Sequence, residues 1–465
     1  MKKSNFIWLF FLIPIYYFHS CAPSINLQDP PMTLVQSLSS DGSLKDLAKS
    51  ALAAGKVAQY TTHGGKNGLI SLGDANGCVV MTKGWLKCWG ENFNGQLGLG
   101  YISPSTEGIT NPTWAKAVNP KEDENDIIAS VVMGRSSTCA QYASGYKCWG
   151  RQEHGVLGNR KTVENALEPE HVINTEKLVL KAVQLNDGFS CVLDTTEKIT
   201  CWGENHVGQL GNRNKDKSIT GSEVFLEGVA ATELVSHNAD SCVILSTGEV
   251  KCWGRNFSNS FPYSPVSITT AHPVKFLGGG TCYSPALICA VLQDTTVQCF
   301  GNSLNLLGEF GNGTFDRPSS ITTGESVKKA EGGGILNGIS MIGSGGAKSL
   351  SDKATKKTEV SFACAVGDHN TSVYCWGANG DGNLGNSTHN DSNVAVKVHE
   401  SWNQNLDHNL IIIDLAVSDA RACVLLKNED VWCWGGGLHN KGELGNGKLD
   451  GTSNVPIKIL NRNDE

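Results

Sequence analysis

The sequence predicts an all-β protein: a seven-bladed β-propeller of four-stranded antiparallel blades, with one hairpin disulfide per blade. Seven times, a cysteine is followed nine to eleven residues later by a second cysteine, and six of these second cysteines begin a Cys-Trp-Gly sequence. Short apolar-alternating segments separated by turn residues surround each pair, as in all-β repeat proteins. The second cysteines lie 60, 53, 51, 47, 76 and 58 residues apart, which is centred on the length of one four-stranded blade.

The third copy shows the repeat unit most clearly. Residues 181–186 and 190–194 are two predicted strands, a turn follows at 195–198, and residues 199–205 are the third strand. A loop then leads to a fourth strand at about 223–227. The same order recurs from six other starting points, which are Leu69, Ala129, Leu234, Val274, Val327 and Ile412.

The cysteine spacing follows from the geometry of a β-hairpin. In the first copy, Thr82-Lys83-Gly84 lies midway between the cysteines and suits a three-residue turn whose glycine adopts positive φ. Folding about that midpoint places the two cysteines opposite each other, at a separation that a disulfide can bridge. Metal binding is the alternative, but the chain has no Cys-x-x-Cys and no regular histidine partner. The predicted disulfides join Cys78 with Cys88, Cys139 with Cys148, Cys191 with Cys201, Cys242 with Cys252, Cys289 with Cys299, Cys364 with Cys375, and Cys423 with Cys433.

Two further motifs accompany the cysteines. The tryptophan after each second cysteine points to the opposite side of its strand, so we predict that it packs between neighbouring blades; a ligand-binding stack is the alternative. Only the fifth copy lacks it and has Phe300 instead. A Gly-x-Leu-Gly loop follows in five copies, and its glycines favour a tight turn rather than a phosphate site, because no Lys-Ser/Thr and no helix follow. These loops begin at Gly95, Gly155, Gly208, Gly382 and Gly442.

These residues resemble the repeats of the regulator of chromosome condensation family, in which Cys-Trp-Gly-x-Asn precedes Gly-Gln-Leu-Gly. Residues 90–98 and 203–211 match that pattern closely, and the resemblance covers roughly residues 66–460. It implies a seven-bladed propeller, and the cysteine-bearing copies are similar to exported bacterial members. Because a terminal strand closes the ring in the family, residues 454–460 are expected to pair with the first copy around residues 69–72.

The first residues predict export. Residues 1–20 combine a basic start with about a dozen apolar residues, which is typical of a signal peptide, and Cys21 follows as in bacterial lipoproteins. An ordinary secretory signal or a retained apolar anchor is the alternative. We predict lipidation of Cys21, a tether with a short helix at 21–65, and the propeller at 66–465. The expected location is the bacterial outer membrane or cell surface, with the periplasmic side as the alternative.

Cysteine usage and charge limit the possible functions. Sixteen cysteines divide into seven pairs plus Cys21 and Cys282, which suits an oxidising compartment. Cys282 is either buried and inert or free for an intermolecular disulfide. The formal net charge is -7 and no long Lys/Arg run occurs, whereas a nucleic-acid-binding protein normally has a basic face. We therefore predict no nucleic-acid partner.

A binding site is expected where loops precede the first cysteines. The family pattern has histidine two places before that cysteine, whereas this chain varies there. This loop is enlarged in the fifth copy, around residues 281–287, and in the sixth copy, by about thirty residues between 332 and 364. The two enlarged loops are predicted to form a raised binding edge, which we call the lip; the alternative is a flexible loop without a function. Ile335, Ile339 and Ile342 are further lip candidates. The predicted binding-face residues are Asn76, Arg135, Phe189, Asp240, Tyr283, Leu336, Met341 and Arg421.

No catalytic residue, cofactor or metal ligand is predicted, because the histidines are scattered and no nucleophile motif occurs. We predict a monomeric, lipid-anchored binding scaffold for a protein or glycan partner. The alternatives are a regulator resembling a guanine-nucleotide exchange factor, as the family resemblance implies, and a hydrolase or lyase built on a propeller.

Overall fold

A computed structural model of the chain describes residues 68–81, 83–104, 106–119, 126–172, 180–186, 188–257, 263–279, 287–347, 360–402, 411–436 and 441–460. The strands in these ranges form seven four-stranded antiparallel sheets, each in chain order. The predicted fold is therefore confirmed. The predicted signal peptide, Cys21, the tether, Cys282 and Tyr283 lie outside the described residues.

Each blade uses four consecutive strands. Blades 1 and 2 are β1 (Ile70–Leu72), β2 (Asn76–Val80), β3 (Leu86–Gly90), β4 (Ile109–Trp114), β5 (Ile128–Met133), β6 (Ser137–Tyr142), β7 (Gly145–Arg151) and β8 (Asn165–His171). Blades 3 and 4 are β9 (Leu180–Leu185), β10 (Phe189–Asp194), β11 (Ile199–Gly203), β12 (Ser218–Glu223), β13 (Ala231–His237), β14 (Asp240–Leu245), β15 (Val250–Gly254) and β16 (Val266–Ile268).

The remaining blades follow the same order. Blades 5 and 6 are β17 (Val274–Gly278), β18 (Leu287–Leu292), β19 (Val297–Gly301), β20 (Glu325–Ser326), β21 (Met341–Ala347), β22 (Val360–Gly367), β23 (Ser372–Gly377) and β24 (Ser392–Lys397). Blade 7 is β25 (Ile412–Ser418), β26 (Arg421–Leu426), β27 (Val431–Gly435) and β28 (Ser453–Leu460).

The first strands of the blades form the inner ring of the propeller. Each first strand packs against the first strand of the next blade, and β25 packs against β1. Since neighbouring strands are antiparallel, the loops between first and second strands open on the same face as the loops between third and fourth strands. We call this surface the loop face.

The disulfides lie where the hairpin geometry predicts. In every blade the two cysteines are directly opposite each other in the register of the second and third strands. All seven predicted bonds are formed, with Cα–Cα distances of 4.0–4.1 Å. On the chain-entropy model, closing so short a loop stabilises each hairpin by about 2–3 kcal/mol.

Each of the seven blades contains one of the confirmed disulfides. Blades 1 to 4 contain Cys78 bonded to Cys88, Cys139 bonded to Cys148, Cys191 bonded to Cys201, and Cys242 bonded to Cys252. Blades 5 to 7 contain Cys289 bonded to Cys299, Cys364 bonded to Cys375, and Cys423 bonded to Cys433. These fourteen cysteines therefore have a structural role, and none of them is free to bind a metal ion or a partner.

The residue after the second cysteine links adjacent blades. The tryptophans at this position are fully buried, which supports packing between blades over a ligand-binding stack. Five of their indole Nε1–H groups donate to the carbonyl of the second residue in the Gly-x-Leu-Gly loop of the preceding blade. These bonds are Trp89–Glu443 (3.0 Å), Trp149–Gln96 (3.1 Å), Trp202–Val156 (3.1 Å), Trp253–Gln209 (3.0 Å) and Trp434–Asn383 (3.0 Å).

Two seams differ from this pattern. Between blades 5 and 6, the Trp376 Nε1–H is buried and has no hydrogen-bond partner in the described part of the chain. Between blades 4 and 5, Phe300 supplies no N–H, and the blade 4 sequence contains no Gly-x-Leu-Gly loop. That seam is joined at its outer edge by backbone bonds instead: Thr269 N–H donates to Thr322 O at 2.7 Å, and Gly324 N–H donates to Thr269 O at 2.9 Å.

The ring closes without a shared strand, so the predicted pairing of residues 454–460 with the first copy is wrong. β28 pairs with β27, and β1 pairs with β2, so blades 1 and 7 are both complete by themselves. Side chains of blade 7 add closing contacts to the Trp89–Glu443 bond. Asp414 Oδ2 accepts from Ile70 N–H at 3.0 Å, and the Ser418 hydroxyl donates to Gly73 O at 2.7 Å.

The sixth blade also begins later than predicted. Its first strand starts at Met341 rather than at Val327, because the chain from 327 to 340 connects blades 5 and 6. Leu336, Ile339 and Ile342 are buried in the core between these blades, so they cannot form an exposed lip. Among the lip candidates that the structure describes, only Ile335 is well exposed.

Candidate functional site: the loop face

The two enlarged connections begin and end in neighbouring blades, 5 and 6. The chain leaves β17 at Gly278 and enters β18 at Leu287, and it leaves β21 at Ala347 and enters β22 at Val360. Both connections join a first strand to a second strand in neighbouring blades, so both belong to the loop face. Residues 280–286 and 348–359 themselves lie outside the described residues.

Most of the predicted binding-face residues are not on the surface. Asn76, Phe189, Asp240, Leu336 and Arg421 are buried, so their side chains cannot contact a partner directly. Two others are accessible. Arg135 is partly exposed and pairs with Asp74 at 3.1 Å, and Met341 is half-buried.

The register of the second strand explains this burial. In six blades the first residue of the second strand lies opposite the glycine that comes two places after the second cysteine, as in Asn76↔Gly90 and Phe189↔Gly203. In blade 6 the residue opposite this glycine is Phe362, the third of its strand. A Cβ at Gly90 would approach Ala75 O to 2.2 Å, and this glycine has φ +94°. The chain is therefore packed tightly at this position, and the variable side chains point into the propeller.

Arg421 is a ring-closing residue rather than a contact residue. Its Nη1 donates to Asp74 O at 2.9 Å, and its Nη2 donates to Gly73 O at 3.0 Å and to Asn76 O at 2.8 Å. Burial lowers the pKa of Arg421, while the nearby Glu443, Asp419 and Asp74 oppose that shift. One guanidinium thus binds three carbonyls of the turn between the first two strands of blade 1.

Blade 4 contributes two carboxyls near its seam with blade 5, the half-buried Glu233 and the buried Asp240. Glu233 Oε1 accepts from Leu277 N–H at 2.8 Å, and burial raises the pKa of Glu233 to about 8. Asp240 accepts from Asn256 N–H at 2.8 Å and Asn256 Nδ2 at 2.6 Å. Burial raises the pKa of Asp240 to about 7. Asn302 of blade 5 then donates to Asn256 Oδ1 at 3.0 Å, so Glu233 contacts blade 5 directly and Asp240 is linked to it through Asn256.

An asparagine organises the long loop between the third and fourth strands in four blades. Its Oδ1 accepts from the backbone N–H five residues later, and its Nδ2 donates to a carbonyl nine residues later. We call this arrangement the asparagine bridge. The asparagines and their nine-residue partners are Asn92–Tyr101 (2.7 Å), Asn205–Asn214 (3.0 Å), Asn305–Thr314 (3.1 Å) and Asn379–Thr388 (3.1 Å).

The Oδ1 side of each bridge is equally regular. Leu97, Leu210, Phe310 and Leu384 donate their backbone N–H groups at 3.1, 2.9, 3.0 and 2.9 Å. Sequence reasoning missed this role, although the signal is visible as the asparagine that follows Cys-Trp-Gly by two positions in the first, third, fourth and sixth copies. In the fourth copy this residue is Asn256, which donates to Asp240 instead. In the fifth copy two extra residues separate the glycine from Asn305.

Exposed hydrophobic side chains concentrate in these loops. Within the described residues, eight of the eleven well-exposed large hydrophobic residues lie between a third and a fourth strand, and hence on loops of the loop face. They are Phe93, Tyr101, Ile102, Val163, Leu304, Leu306, Phe315 and Leu449. Such clustering is typical of an interaction surface, whereas single exposed hydrophobic residues are common everywhere.

The described residues contain no group of three or more His, Cys, Asp or Glu side chains placed to hold a metal ion. A helix long and apolar enough to span a membrane is likewise absent from these residues. The seven disulfides indicate that the chain folds in an oxidising environment.

The chain is similar in sequence to several characterised proteins, although no family model matches it. It is 32% identical to the X-linked retinitis pigmentosa GTPase regulator of Homo sapiens over 149 residues, which cover 31% of this chain and 13% of that protein. It is 24% identical to the ultraviolet-B receptor UVR8 of Arabidopsis thaliana, over 44% of this chain and 45% of the receptor. The chain spans less than half the length of either relative.

Solved structures have the same fold. Prp20p from Saccharomyces cerevisiae superposes with a TM-score of 0.63 and 16% identity, covering 87% of this chain and 89% of that one. Human WBSCR16 gives a TM-score of 0.61 and 15% identity, over 80% and 92% of the two chains. The cysteine-tryptophan repeats, the closed ring of seven blades and these relatives together support the resemblance of the chain to the regulator of chromosome condensation repeat family.

Proposed function

We propose that this protein is an exported, lipid-anchored scaffold that binds a protein partner through its loop face. The observation that carries the proposal is the concentration of exposed large hydrophobic side chains in the loops between third and fourth strands. Exposed apolar patches on soluble proteins mark interaction sites, and aromatic side chains such as Phe93, Tyr101 and Phe315 are enriched in protein interfaces. A glycan is the other candidate ligand, since Phe93 and Tyr101 offer aromatic rings for stacking.

The relatives support protein recognition as the general role. The description of Prp20p includes its binding properties to Gsp1p and histones, and a second structure has Kap60 bound to yeast RCC1 (Prp20). Prp20 is therefore a propeller protein that binds other proteins. The partner of the present chain is a separate matter, because the low identity carries over only the fold.

Export and anchoring draw support from two sources. The seven disulfides require an oxidising compartment, which the secretory route provides. Residues 1–20 read as a signal peptide followed by Cys21, although these residues lie outside the described ones. Acyl chains on Cys21 would hold the protein at a membrane, because each buried methylene contributes about 0.8 kcal/mol.

Intact mass spectrometry of the mature protein tests export and anchoring together. We expect a chain that begins at Cys21, carries lipid, and lacks two hydrogens for each of seven disulfides. Cys21→Ser should move the protein from the membrane fraction to the soluble fraction. A reduced, unlipidated wild-type chain that retains residues 1–20 would contradict the proposal.

A second candidate is regulation of a GTPase, which the name of one relative and the Gsp1p binding of another favour. This function would place the loop face against a small GTPase, and it requires the protein and the GTPase to share a compartment. Accelerated nucleotide release from a purified GTPase, lost when the loop face is altered, would support it. The hydrolase or lyase alternative has weaker support, because Glu233 and Asp240 are engaged at a blade seam.

A further inference from the structure

The four asparagine bridges give four copies of one loop backbone, so equivalent positions can be compared within the molecule. Two positions are exposed in all four copies: the residue after the asparagine, and the residue ten places after it. In blade 1 they hold Phe93 and Ile102, which are 48% and 52% exposed. In blade 5 they hold Leu306 and Phe315, which are 56% and 50% exposed.

Blades 3 and 6 have different chemistry at these positions. Blade 3 has His206 and Lys215, and blade 6 has Gly380 and His389, all of them exposed. The bridge is formed in these blades with the same hydrogen bonds as in blades 1 and 5. The loop therefore does not require apolar side chains at either position. The exposed hydrophobic residues of blades 1 and 5 must have another reason.

We infer that the blade 1 patch (Phe93 and Ile102) and the blade 5 patch (Leu306 and Phe315) are two anchor points for one protein partner on the loop face. This inference rests on the proposed function and specifies its surface. In a closed ring of seven blades, blades 1 and 5 lie on nearly opposite sides. The partner is thus a folded protein broad enough to span the loop face, with apolar side chains at two separated points.

Neighbouring residues strengthen each patch. Tyr101 lies beside Ile102 and is 51% exposed, and its carbonyl is held at 2.7 Å by Asn92 Nδ2. Leu304 precedes Asn305 and is 43% exposed. Each asparagine bridge thus brings residues that are nine to eleven positions apart together on a fixed backbone. A rigid apolar anchor binds at a smaller entropic cost than a mobile one.

The charged residues near the two patches favour a protein, rather than a lipid membrane, as the binding partner. Membrane-surface segments usually combine apolar side chains with Lys and Arg, which attract anionic lipids. The whole chain has a net charge of -7, and the charged residues of the blade 1 loop are Glu91 and Glu107. The blade 5 loop has Glu309, Asp316 and Arg317. The blade 1 loop therefore has no basic residue of its own, and the blade 5 loop has one arginine with two acidic residues, to which Lys328 adds one neighbouring cation near Gly313.

The chain itself supplies the substitutions for a test. A patch variant carries Phe93→His, Ile102→Lys, Leu306→His and Phe315→Lys, which are the residues of blade 3 at the same positions. His206 is 59% exposed in its side chain, so histidine is compatible with this site. A control variant carries His206→Ala and Lys215→Ala on the same face. Both variants must retain seven disulfides and the wild-type unfolding midpoint.

The probe is a displayed library of random dodecapeptides selected against the immobilised full-length protein. We expect wild type to enrich peptides rich in aromatic and aliphatic residues, the control to bind them equally, and the patch variant to bind them at least about tenfold more weakly. Variants of a single patch should each lose a different subset of the peptides.

The contrary outcomes separate the two hypotheses. Peptides that bind the patch variant as tightly as wild type would overturn the anchor assignment but leave protein binding by the loop face intact. Failure to enrich any peptide on any variant would count against the proposed function itself. Sedimentation with phosphatidylcholine or phosphatidylglycerol vesicles, lost in the patch variant, would mean that the patches contact lipid and would also overturn the inference.

Discussion

The inter-blade tryptophan hydrogen bond can be measured with a matched pair of substitutions. Trp253 and Trp376 occupy equivalent positions, and both are 0% exposed. Trp253 Nε1–H donates to Gln209 O at 3.0 Å, whereas Trp376 Nε1–H has no partner among the described residues. Replacing each by phenylalanine removes similar volume and apolar contact. Only Trp253→Phe also removes a hydrogen bond.

The expected difference follows from these contacts. Both variants lose packing energy, on the order of 1–3 kcal/mol for a buried aromatic that is shortened. Trp253→Phe additionally leaves the Gln209 carbonyl without its indole donor, and an unsatisfied buried acceptor costs about 1–3 kcal/mol. Trp376→Phe removes a buried N–H that is already unpaired, so it should be the milder change. Trp253→Phe should therefore be more destabilising by about 1–3 kcal/mol.

Equilibrium unfolding in urea, with the disulfides intact, measures this difference. The free energy of unfolding of each variant comes from its midpoint and slope, and the slopes must agree for the comparison to hold. Phe300→Leu serves as a control for packing alone at the seam that has no tryptophan. If Trp253→Phe and Trp376→Phe lower the free energy of unfolding equally, the hydrogen bond contributes nothing and the reasoning is wrong.

Three further predictions concern ring closure, pH and the sixth blade. Arg421→Lys should lower the free energy of unfolding by about 2–4 kcal/mol, because an ammonium cannot bind all three carbonyls that the guanidinium binds. An unchanged midpoint in urea unfolding would mean that these three hydrogen bonds are dispensable. The pKa of Glu233 is about 8 in the folded state, above its ordinary value of 4.5, so its stabilising effect is complete below about pH 4.5 and is lost as the pH rises toward 8. Glu233→Gln should accordingly flatten the fall in stability across that window, and an identical pH profile in both proteins would refute the assignment. Deletion of residues 349–357 should leave the free energy of unfolding within about 0.5 kcal/mol of wild type, because Ala347 and Val360 on either side of the deleted segment already pair with each other. A large decrease in the free energy of unfolding, measured in urea, would mean that the deleted residues support the core.

The sequence is most informative where a feature depends on neighbouring residues. The disulfide of the third blade follows from the turn between Cys191 and Cys201, because a hairpin fixes which residues lie opposite each other. The packing of Trp202 between blades follows from the alternation of side chains along a strand. Both features are local, and both repeat in other copies.

Features that join distant residues are not predictable in the same way. Arg421 contacts carbonyls 345 to 348 residues away, and no local pattern distinguishes a ring-closing arginine from an exposed one. The position of Phe189 next to a loop predicts an exposed side chain, but its place opposite Gly203 buries it. Val327 is as apolar as a strand residue, so the sequence alone starts blade 6 there, although its segment connects two blades.

The seam between blades 4 and 5 lacks two repeat motifs at once, and this shows that the motifs depend on each other across a seam rather than within one blade. Blade 5 lacks the tryptophan donor, since Phe300 stands in its place, and blade 4 lacks the Gly-x-Leu-Gly acceptor. Each motif alone would leave a polar group without its usual partner, and both are absent from the same seam. Blade 6 shows the other case, because its Trp376 is retained but its indole N–H has no hydrogen-bond partner among the described residues. A backbone bond lies close to the same seam, in which Ala330 N–H donates to Ala395 O at 3.0 Å. A donor in one blade is therefore meaningful only together with the loop of the blade before it, so a blade exchanged between positions would have to match both neighbours.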